Sequence, residues 1–233
     1  EKKYIESNIS TTKKAYGIDC DSESIDYTGT ITDEEVQKNQ NIIDNATIVD
    51  KQTVLENLNE TQASSGYYTY KIAKISSYEV NGMKKLMYVS PREIINNRRT
   101  YNSKTYEYTH GYGLIFTSST ESSDDGTIMY IQNDIAGKES NIIKVNEPRI
   151  YYGLETNTTV VTKKEFDYSD EQKDYETSYN GEAGLKMNFL DRLILGIKEK
   201  NVNIALSGSV TSESKILINR NIIKRARLAL PDV

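Results

Sequence analysis

Cysteine, histidine and tryptophan are nearly missing from this sequence: 233 residues contain one Cys, one His and no Trp. With Cys20 alone, no intramolecular disulfide and no multi-cysteine metal site can form within these residues. One histidine and one cysteine also fall short of the nitrogen and sulfur ligands that zinc hydrolysis needs. Long apolar runs are lacking too. Only 36% of residues are hydrophobic and the mean hydropathy is −0.64, and no run approaches the ~20 residues of a membrane-spanning helix. A net charge of −5 and a pI near 5.2 leave no concentration of Lys and Arg for a phosphate backbone, so no nucleic-acid partner is expected. Two catalytic signatures are absent as well. There is no Gly-x-Ser-x-Gly, Ser207-Gly208-Ser209 having the wrong form, and no glycine-rich loop ends in Gly-Lys-Ser/Thr. Neither an initiating methionine nor a basic leader with an apolar signal region opens the chain, so Glu1 is expected to follow a cut inside a longer protein.

What is present in excess is tyrosine, 18 residues against three phenylalanines. Each ring offers apolar area together with a hydroxyl that needs a partner, so half-buried placements are expected; a partner-binding or sugar-binding surface and a plain compositional bias both account for them. The lone histidine sits among such rings in Tyr108-Thr109-His110-Gly111-Tyr112-Gly113, which runs into Leu114-Ile115-Phe116. Two close glycines permit backbone approach and positive φ, which suits a tight strand entry or a binding corner. The packing reading leads, and the functional one stays open.

Local pattern predicts the following elements. Tyr4 to Tyr16 reads as a helix with Ile5, Ile9, Thr12 and Tyr16 on one face and Gly17 as its stop. Ser24 to Thr30 alternates like a strand. Thr32 and Asp50 are N-caps, the second opening a helix with Val54, Leu55 and Leu58 on its apolar face. Tyr67 to Ile75 and Ser77 to Ser90 carry the clearest β signal, a hairpin turning on Asn81-Gly82 and ending at Pro91, with Arg92 to Ile95 a helical turn or loop. Strands are expected at Leu114 to Thr117 and Thr127 to Gln132 around a mobile polar loop, Ser118 to Gly126. More strands are expected at Ile142 to Val145, Arg149 to Gly153, Thr158 to Lys163 and Val202 to Leu206. A helix from Asn188 or Phe189 to Lys200 has Phe189, Leu190, Leu193, Ile194 and Ile197 as a buried stripe. Ser212 or a neighbour caps a final helix with Ile218, Ile222, Ala226 and Ala229 on one side and Arg220, Lys224 and Arg227 on the other, a basic stripe that suits anionic lipid or acidic partners but reads first as ordinary dipole complement. Strands in the middle and helices at both ends make the fold class α+β, with a central, mainly antiparallel β-sheet, in one domain over residues 1–233.

Two acidic groupings invite a chemical reading. Asp167, Asp170, Glu171 and Asp174 can chelate a hard cation if a loop converges them, but lysines flank them and a solvated acidic loop is the simpler account. Asp19 to Glu23 lacks the glycine and terminal glutamate of a calcium loop. Glycosidase chemistry needs two carboxylates brought together in space, and nothing in the spacing of Glu107, Glu147, Glu155 and Asp167 promotes it. No metal and no cofactor is expected.

Several blocks together resemble one family of uncharacterised bacterial membrane proteins, UPF0182. They are Tyr4 to Ile9 with Ala15 to Ile18, Ser90-Pro91-Arg92-Glu93, Tyr108 to Gly113, Pro148-Arg149-Ile150-Tyr151-Tyr152-Gly153, Glu165-Phe166-Asp167-Tyr168, and Leu206-Ser207 with Ile216 to Ile222. Their order matches the family across nearly the whole chain. The resemblance implies several membrane spans before Glu1, the helix at Tyr4 to Tyr16 linking membrane to domain, and an extracytoplasmic location at the cell membrane. It brings no activity with it. Departures are the missing tryptophans before Tyr108 and the reduced glycine cluster at Gly181 to Gly184.

The leading expectation is a non-catalytic extracytoplasmic module whose partners are its own membrane region and other envelope proteins. Its rival is an envelope hydrolase or ligand-binding domain centred on Tyr108, His110 and Tyr112. Candidate ligand or partner residues are Tyr108, His110, Tyr112, Tyr151, Tyr152 and Asp167. A pocket with His110 near a carboxylate or serine favours the enzyme, and a packed His110 favours the interaction module.

Overall fold

The computed structural model describes residues 2–18, 24, 29–63, 67–95, 99–133, 143–157, 159–167, 175–206, 208 and 210–231. The chain divides into two compact units, residues 1–41 and residues 42–233. The first contains α1 (Lys2–Tyr16) and α2 (Asp33–Lys38), neither of which buries a side chain. Thr32 caps α2 as expected. Its hydroxyl accepts from the Glu35 amide at 3.3 Å, and the Glu35 carboxylate accepts from the Thr32 amide at 2.9 Å, which satisfies two of the orphan donors of a helix start. Most of the strand expected at Ser24 to Thr30 lies outside the described residues.

A single turn, α3 (Gln40–Ile43), falls at the division. The second unit then runs α4 (Lys51–Thr61), β1 (Tyr68–Thr69), β2 (Lys74–Val80), β3 (Met83–Pro91), β4 (Glu93–Ile94), a π-helical turn at Ser103–Glu107, β5 (Gly111–Tyr112), β6 (Leu114–Ser122) and β7 (Ile128–Gln132). It continues through β8 (Arg149–Ile150), β9 (Val160–Thr162), β10 (Glu165–Asp167), β11 (Tyr175–Thr177), β12 (Leu185–Lys186), α5 (Phe189–Lys198), α6 (Asn203–Leu206), β13 (Lys215–Leu217) and α7 (Ile222–Ala229). The fold class is α+β as expected, and every sheet is antiparallel. The β structure is distributed between a four-stranded sheet, β2-β3-β6-β7, a three-stranded sheet, β12-β13-β9, and three two-stranded ribbons, β1-β4, β5-β8 and β10-β11. No described helix is long and apolar enough to cross a membrane.

The β2-β3 hairpin turns at Asn81-Gly82 with φ of 52° and 77°, so Val80 pairs with Met83. Those two left-handed residues are what a twist-matched two-residue turn requires. Asp50 caps α4, accepting from the amides of Gln52 and Thr53, and the helix buries Val54 and Leu58 against Tyr68, Tyr70, Tyr88, Ile115 and Ile128. A second core gathers Val161, Met187, Leu195, Ile204, Val210 and Ile216 around the three-stranded sheet.

Several expectations are corrected. The long β signal at Tyr67 to Val80 is broken: Tyr68–Thr69 pairs with Glu93–Ile94, and only from Lys74 does the chain pair with β3. Arg92 to Ile95 is therefore neither helical turn nor loop over its whole length. Ser118 to Ser122 extends β6, and Ser118 and Ser119 are buried; the Ser119 hydroxyl donates to the Leu86 carbonyl at 2.8 Å, which lets a small polar side chain sit inside a sheet. Ile143 to Val145 forms no strand, and Arg149 to Gly153 forms one only at its first two residues. Val202 to Leu206 is not a strand but contains α6. The final helix begins after Asn221, whose side chain caps it through the Lys224 amide, because Ile216 and Leu217 are drawn into β13 beside β9. Finally, α5 starts at Phe189 as expected, capped by Asn188 and Asp191, yet the stripe expected to be buried, Phe189, Leu190, Leu193, Ile194 and Ile197, is 42–71% exposed. The side it buries is Leu195 and Gly196.

Candidate functional site at a buried ionic cluster

The second unit carries charge into its interior. β5 and β8 form a ribbon in which Gly111 faces Ile150 and Tyr112 faces Arg149, and β10 arrives with Glu165 and Asp167 on its buried face, as strand alternation requires. His110, one residue before β5, thereby meets Asp167 from 57 residues away.

His110 is 1% exposed. Its Nε2 lies 2.9 Å from Asp167 Oδ1, and its Nδ1 lies 3.2 Å from the Thr109 hydroxyl. Arg149 clamps the same carboxylate, Nε donating to Oδ1 at 2.8 Å and Nη2 to Oδ2 at 2.9 Å, a fork that only a planar guanidinium supplies. Glu147 accepts from the third nitrogen, Nη1, at 3.1 Å. Burial would push the Asp167 carboxyl up, but the His110 and Arg149 hydrogen bonds outweigh it and hold the group below its usual range. For His110 burial wins: it pushes the imidazole below its usual value against the pull of Asp167. An ionised Asp167 only accepts, so a neutral His110 carries its proton on Nε2, and Nδ1 accepts from Thr109.

Two further carboxylates and two further arginines surround this centre. Glu165, fully buried, makes no hydrogen bond to a described residue through either carboxylate oxygen, and burial raises its pKa to about 7, offset only in part by nearby backbone N–H groups of Tyr179 and of Glu165 itself. Glu93 is instead saturated, accepting from the amides of Leu154 and Glu155 at 2.9 and 2.8 Å and from the Thr156 hydroxyl at 3.2 Å. That cradle depends on Gly153, where a Cβ would lie 2.2 Å from Glu93 Oε2. Arg220, also without exposed area, donates from Nε to the Tyr151 carbonyl at 2.7 Å and from Nη2 to the Thr109 carbonyl; burial lowers its pKa to about 10, which keeps it charged at neutral pH. Arg92 donates to the Tyr70 hydroxyl at 3.0 Å and to the Asn133 carbonyl.

Of the six candidate residues, the structure brings three together. Tyr151 stacks on His110 with ring centres 4.7 Å apart and meets Tyr179 edge-on at 4.6 Å. Tyr112 meets the cluster at Arg149, whose guanidinium lies 5.9 Å from its ring, and its amide donates to the Arg92 carbonyl at 3.2 Å. Tyr152 lies beneath Arg225 at 5.1 Å and packs against the apolar group of Tyr151, Val160 and Leu217, and Tyr108 packs with Arg99 and Phe166. Asp170, Glu171 and Asp174 lie outside the described residues, and no group of metal-ligating side chains occurs among the described ones. Sequence reasoning did not single out Arg149, Glu93 or Glu165, and it placed Arg220 on the basic stripe of the final helix, whereas Arg220 is fully buried and precedes that helix and its cap, Asn221; the stripe is corrected to Lys224 and Arg227. All four lie in the blocks that carry the family resemblance, and charged residues embedded in such blocks were the available signal.

The chemistry open to this arrangement is narrow. Thr109, His110 and Asp167 form a hydroxyl–imidazole–carboxylate series, but Thr109 and His110 are adjacent in the chain and both buried, and the Thr109 carbonyl is held by Arg220. A cleft of about 690 Å³ in the same unit is lined by other residues, among them Tyr106, Phe166 and Asn203. A nucleophile needs a reacting atom within about 3 Å, and Thr109 and His110 are 0% and 1% exposed.

Comparison with known proteins places these features in context. The sequence profile described as an uncharacterised protein family, UPF0182, matches residues 1–231. A UPF0182 protein of Caldicellulosiruptor saccharolyticus is 36% identical over 241 residues, covering 99% of this chain and 26% of that protein. One of Clostridium acetobutylicum is 35% identical over 240 residues with the same coverage, and one of Clostridium botulinum is 34% identical over 238 residues, covering 99% and 27%. The chain thus spans about a quarter of the length of the curated relatives it matches. No solved structure matches it.

Proposed function

The chain belongs to the uncharacterised protein family UPF0182, and from that premise we propose that it is a non-catalytic interaction module, the extracytoplasmic part of a multi-span bacterial membrane protein at the cell envelope. The observation that carries this reading is the outer face of α5, where five large apolar side chains stand 42–71% exposed. Monomeric proteins rarely leave a contiguous apolar patch beyond a few hundred Å² without a partner. Its occupant is the remainder of the same polypeptide: the matched relatives are about four times longer than this chain, and the polypeptide outside these residues is always at hand at high effective concentration. The buried ionic cluster then serves as a clasp that holds β5, β8, β10 and the segment before α7 in register. A hydrolase at His110 draws support from the His110–Asp167 hydrogen bond, but a substrate would have to displace the Arg220 contact and the Tyr151 ring to reach it.

A photo-crosslinking residue at Ile194 of the full-length protein, expressed in cells, tests the reading. Adducts are expected to map within the same polypeptide, outside the stretch that corresponds to residues 1–233. Adducts joining two copies would replace the occupant with a second chain, and yields no higher than at exposed Glu79 would overturn the interaction reading. Glu79→Cys labelled by an impermeant maleimide in intact cells is the measurement for the extracytoplasmic side; labelling only after lysis would overturn it.

A further inference from the structure

On the outward face of β10 lies the cleft of about 690 Å³, a size that suits a small-molecule ligand. Alternation along the strand turns Glu165 and Asp167 inward and leaves Phe166 between them to line the cleft. The ring is fixed from behind. Arg99 lies over the rings of Tyr67, at 4.5 Å, and Tyr108, at 4.3 Å, and Tyr108 in turn meets Phe166 with centroids 6.1 Å apart. Such a cation–π stack holds an aromatic surface in place before any ligand arrives.

The π-helical turn at Ser103–Glu107 forms another wall. Its wider winding is closed by the Tyr108 amide on the Ser103 carbonyl at 2.9 Å, and it places Tyr106 and Glu107 on the cleft with Asn102 just before them. π-Turns are rare and recur at functional sites. The Tyr106 ring packs on the second apolar core, while its hydroxyl, shielded from water, has no hydrogen-bond partner among the described residues. A phenol in that state lacks an acceptor. Asn203, at the start of α6, adds an exposed amide opposite.

Charge narrows the class of ligand. Lys164 is paired with Glu176 at 2.9 Å and Lys163 with Glu213 at 3.5 Å, so neither lysine presents an uncompensated charge to an anion. A wholly apolar ligand would leave two amides and a carboxylate facing it without water. What fits is a neutral molecule with a flat apolar face and a rim of hydroxyls that both donate and accept. We propose that this cleft binds a saccharide, one sugar ring stacking on Phe166 while Asn102, Asn203 and Glu107 share its hydroxyls. The site is independent of the α5 face and does not need the Proposed function to hold.

Saturation-transfer NMR of this chain with chitotetraose and with maltotetraose tests the assignment. Transfer is expected to the ring protons on one face of at least one of the two sugars. The double variant Asn102→Ala/Asn203→Ala replaces two exposed side chains and keeps the fold, and it is expected to bind that sugar at least tenfold more weakly. Phe166→Leu, checked by circular dichroism to be folded, is expected to abolish the one-face pattern. Absence of transfer from both sugars, or equal binding by the parent and the double variant, would overturn the proposal.

Discussion

Around His110 the second unit shuts charged groups away from water, and along α5 it leaves leucines, isoleucines and a phenylalanine in it. Both run against the usual partition, and they differ in what surrounds them. The Asp167 carboxylate accepts three hydrogen bonds from His110 and Arg149, and Arg220 finds two carbonyls, so desolvation is compensated within the chain. The α5 stripe has no such internal partner among the described residues. Apart from Glu165, which stays unpaired among the described residues, the buried charges are completed locally, whereas an exposed apolar face can be completed by something else, and this is why one region reads as a clasp and the other as an interface.

The comparison breaks most severely at Asp167. Asp167→Ala leaves Arg149 and His110 without their shared acceptor and is expected to cost about 3–5 kcal/mol, read from urea unfolding monitored by circular dichroism; a loss below about 1 kcal/mol would mean that the cluster contributes little to holding the fold.

Next in size is the pH dependence carried by Glu165. Its folded pKa is raised from 4.5 to about 7, so its contribution is complete below pH 4.5 and is lost as pH rises through about 7. That amounts to about 3 kcal/mol by linkage. His110 runs the other way. Its folded value lies below 6.5, so its contribution is present above pH 6.5 and is lost as pH falls through the lowered value. Urea midpoints between pH 4.5 and 8 are therefore expected to show Glu165→Gln holding or gaining stability where the parent loses it. Parallel profiles for the two proteins would remove Glu165 from the account.

Gly153→Ala is expected to cost about 1–3 kcal/mol by overpacking the Glu93 cradle, because its Cβ would meet the carboxylate; unchanged thermal unfolding would show that the loop yields. The smallest effect belongs to the other side of the comparison. Ile197→Lys on α5 is expected to alter the stability of this chain by no more than about 0.5 kcal/mol, read from urea unfolding, while lowering the crosslinking yield at Ile194 in the full-length protein. A large destabilisation would place that side chain in a core.

Legibility in the sequence followed distance along the chain. Thr32 and Asp50 announced helix starts because a cap is settled within three residues, and Asn81-Gly82 announced the hairpin because its two φ values are a property of those residues. Ser118 to Ser122 looked like a loop because serine and threonine side chains carry no apolar periodicity; pairing of Ser118 with Met87 on β3 and of Ser122 with Ile128 on β7, with the Ser119 hydroxyl on the Leu86 carbonyl, made it a strand. His110 and Asp167 were each visible as candidates, but no spacing rule couples positions 57 apart. Glu93 was hidden for the same reason, since the amides that complete it come more than 60 residues later.

The sequence by itself determined the α+β class, the local caps and turns, the family, and the amphipathic character of α5. Only the tertiary structure decided that the α5 stripe faces outward, that the charged residues of four separate blocks share one interior, and that Phe166 and a π-turn bound a cleft. Periodicity reports that a helix has an apolar side, and residue type reports that a side chain can ionise. Neither reports what lies against it, because burial and pairing depend on chain segments far apart in sequence meeting in space.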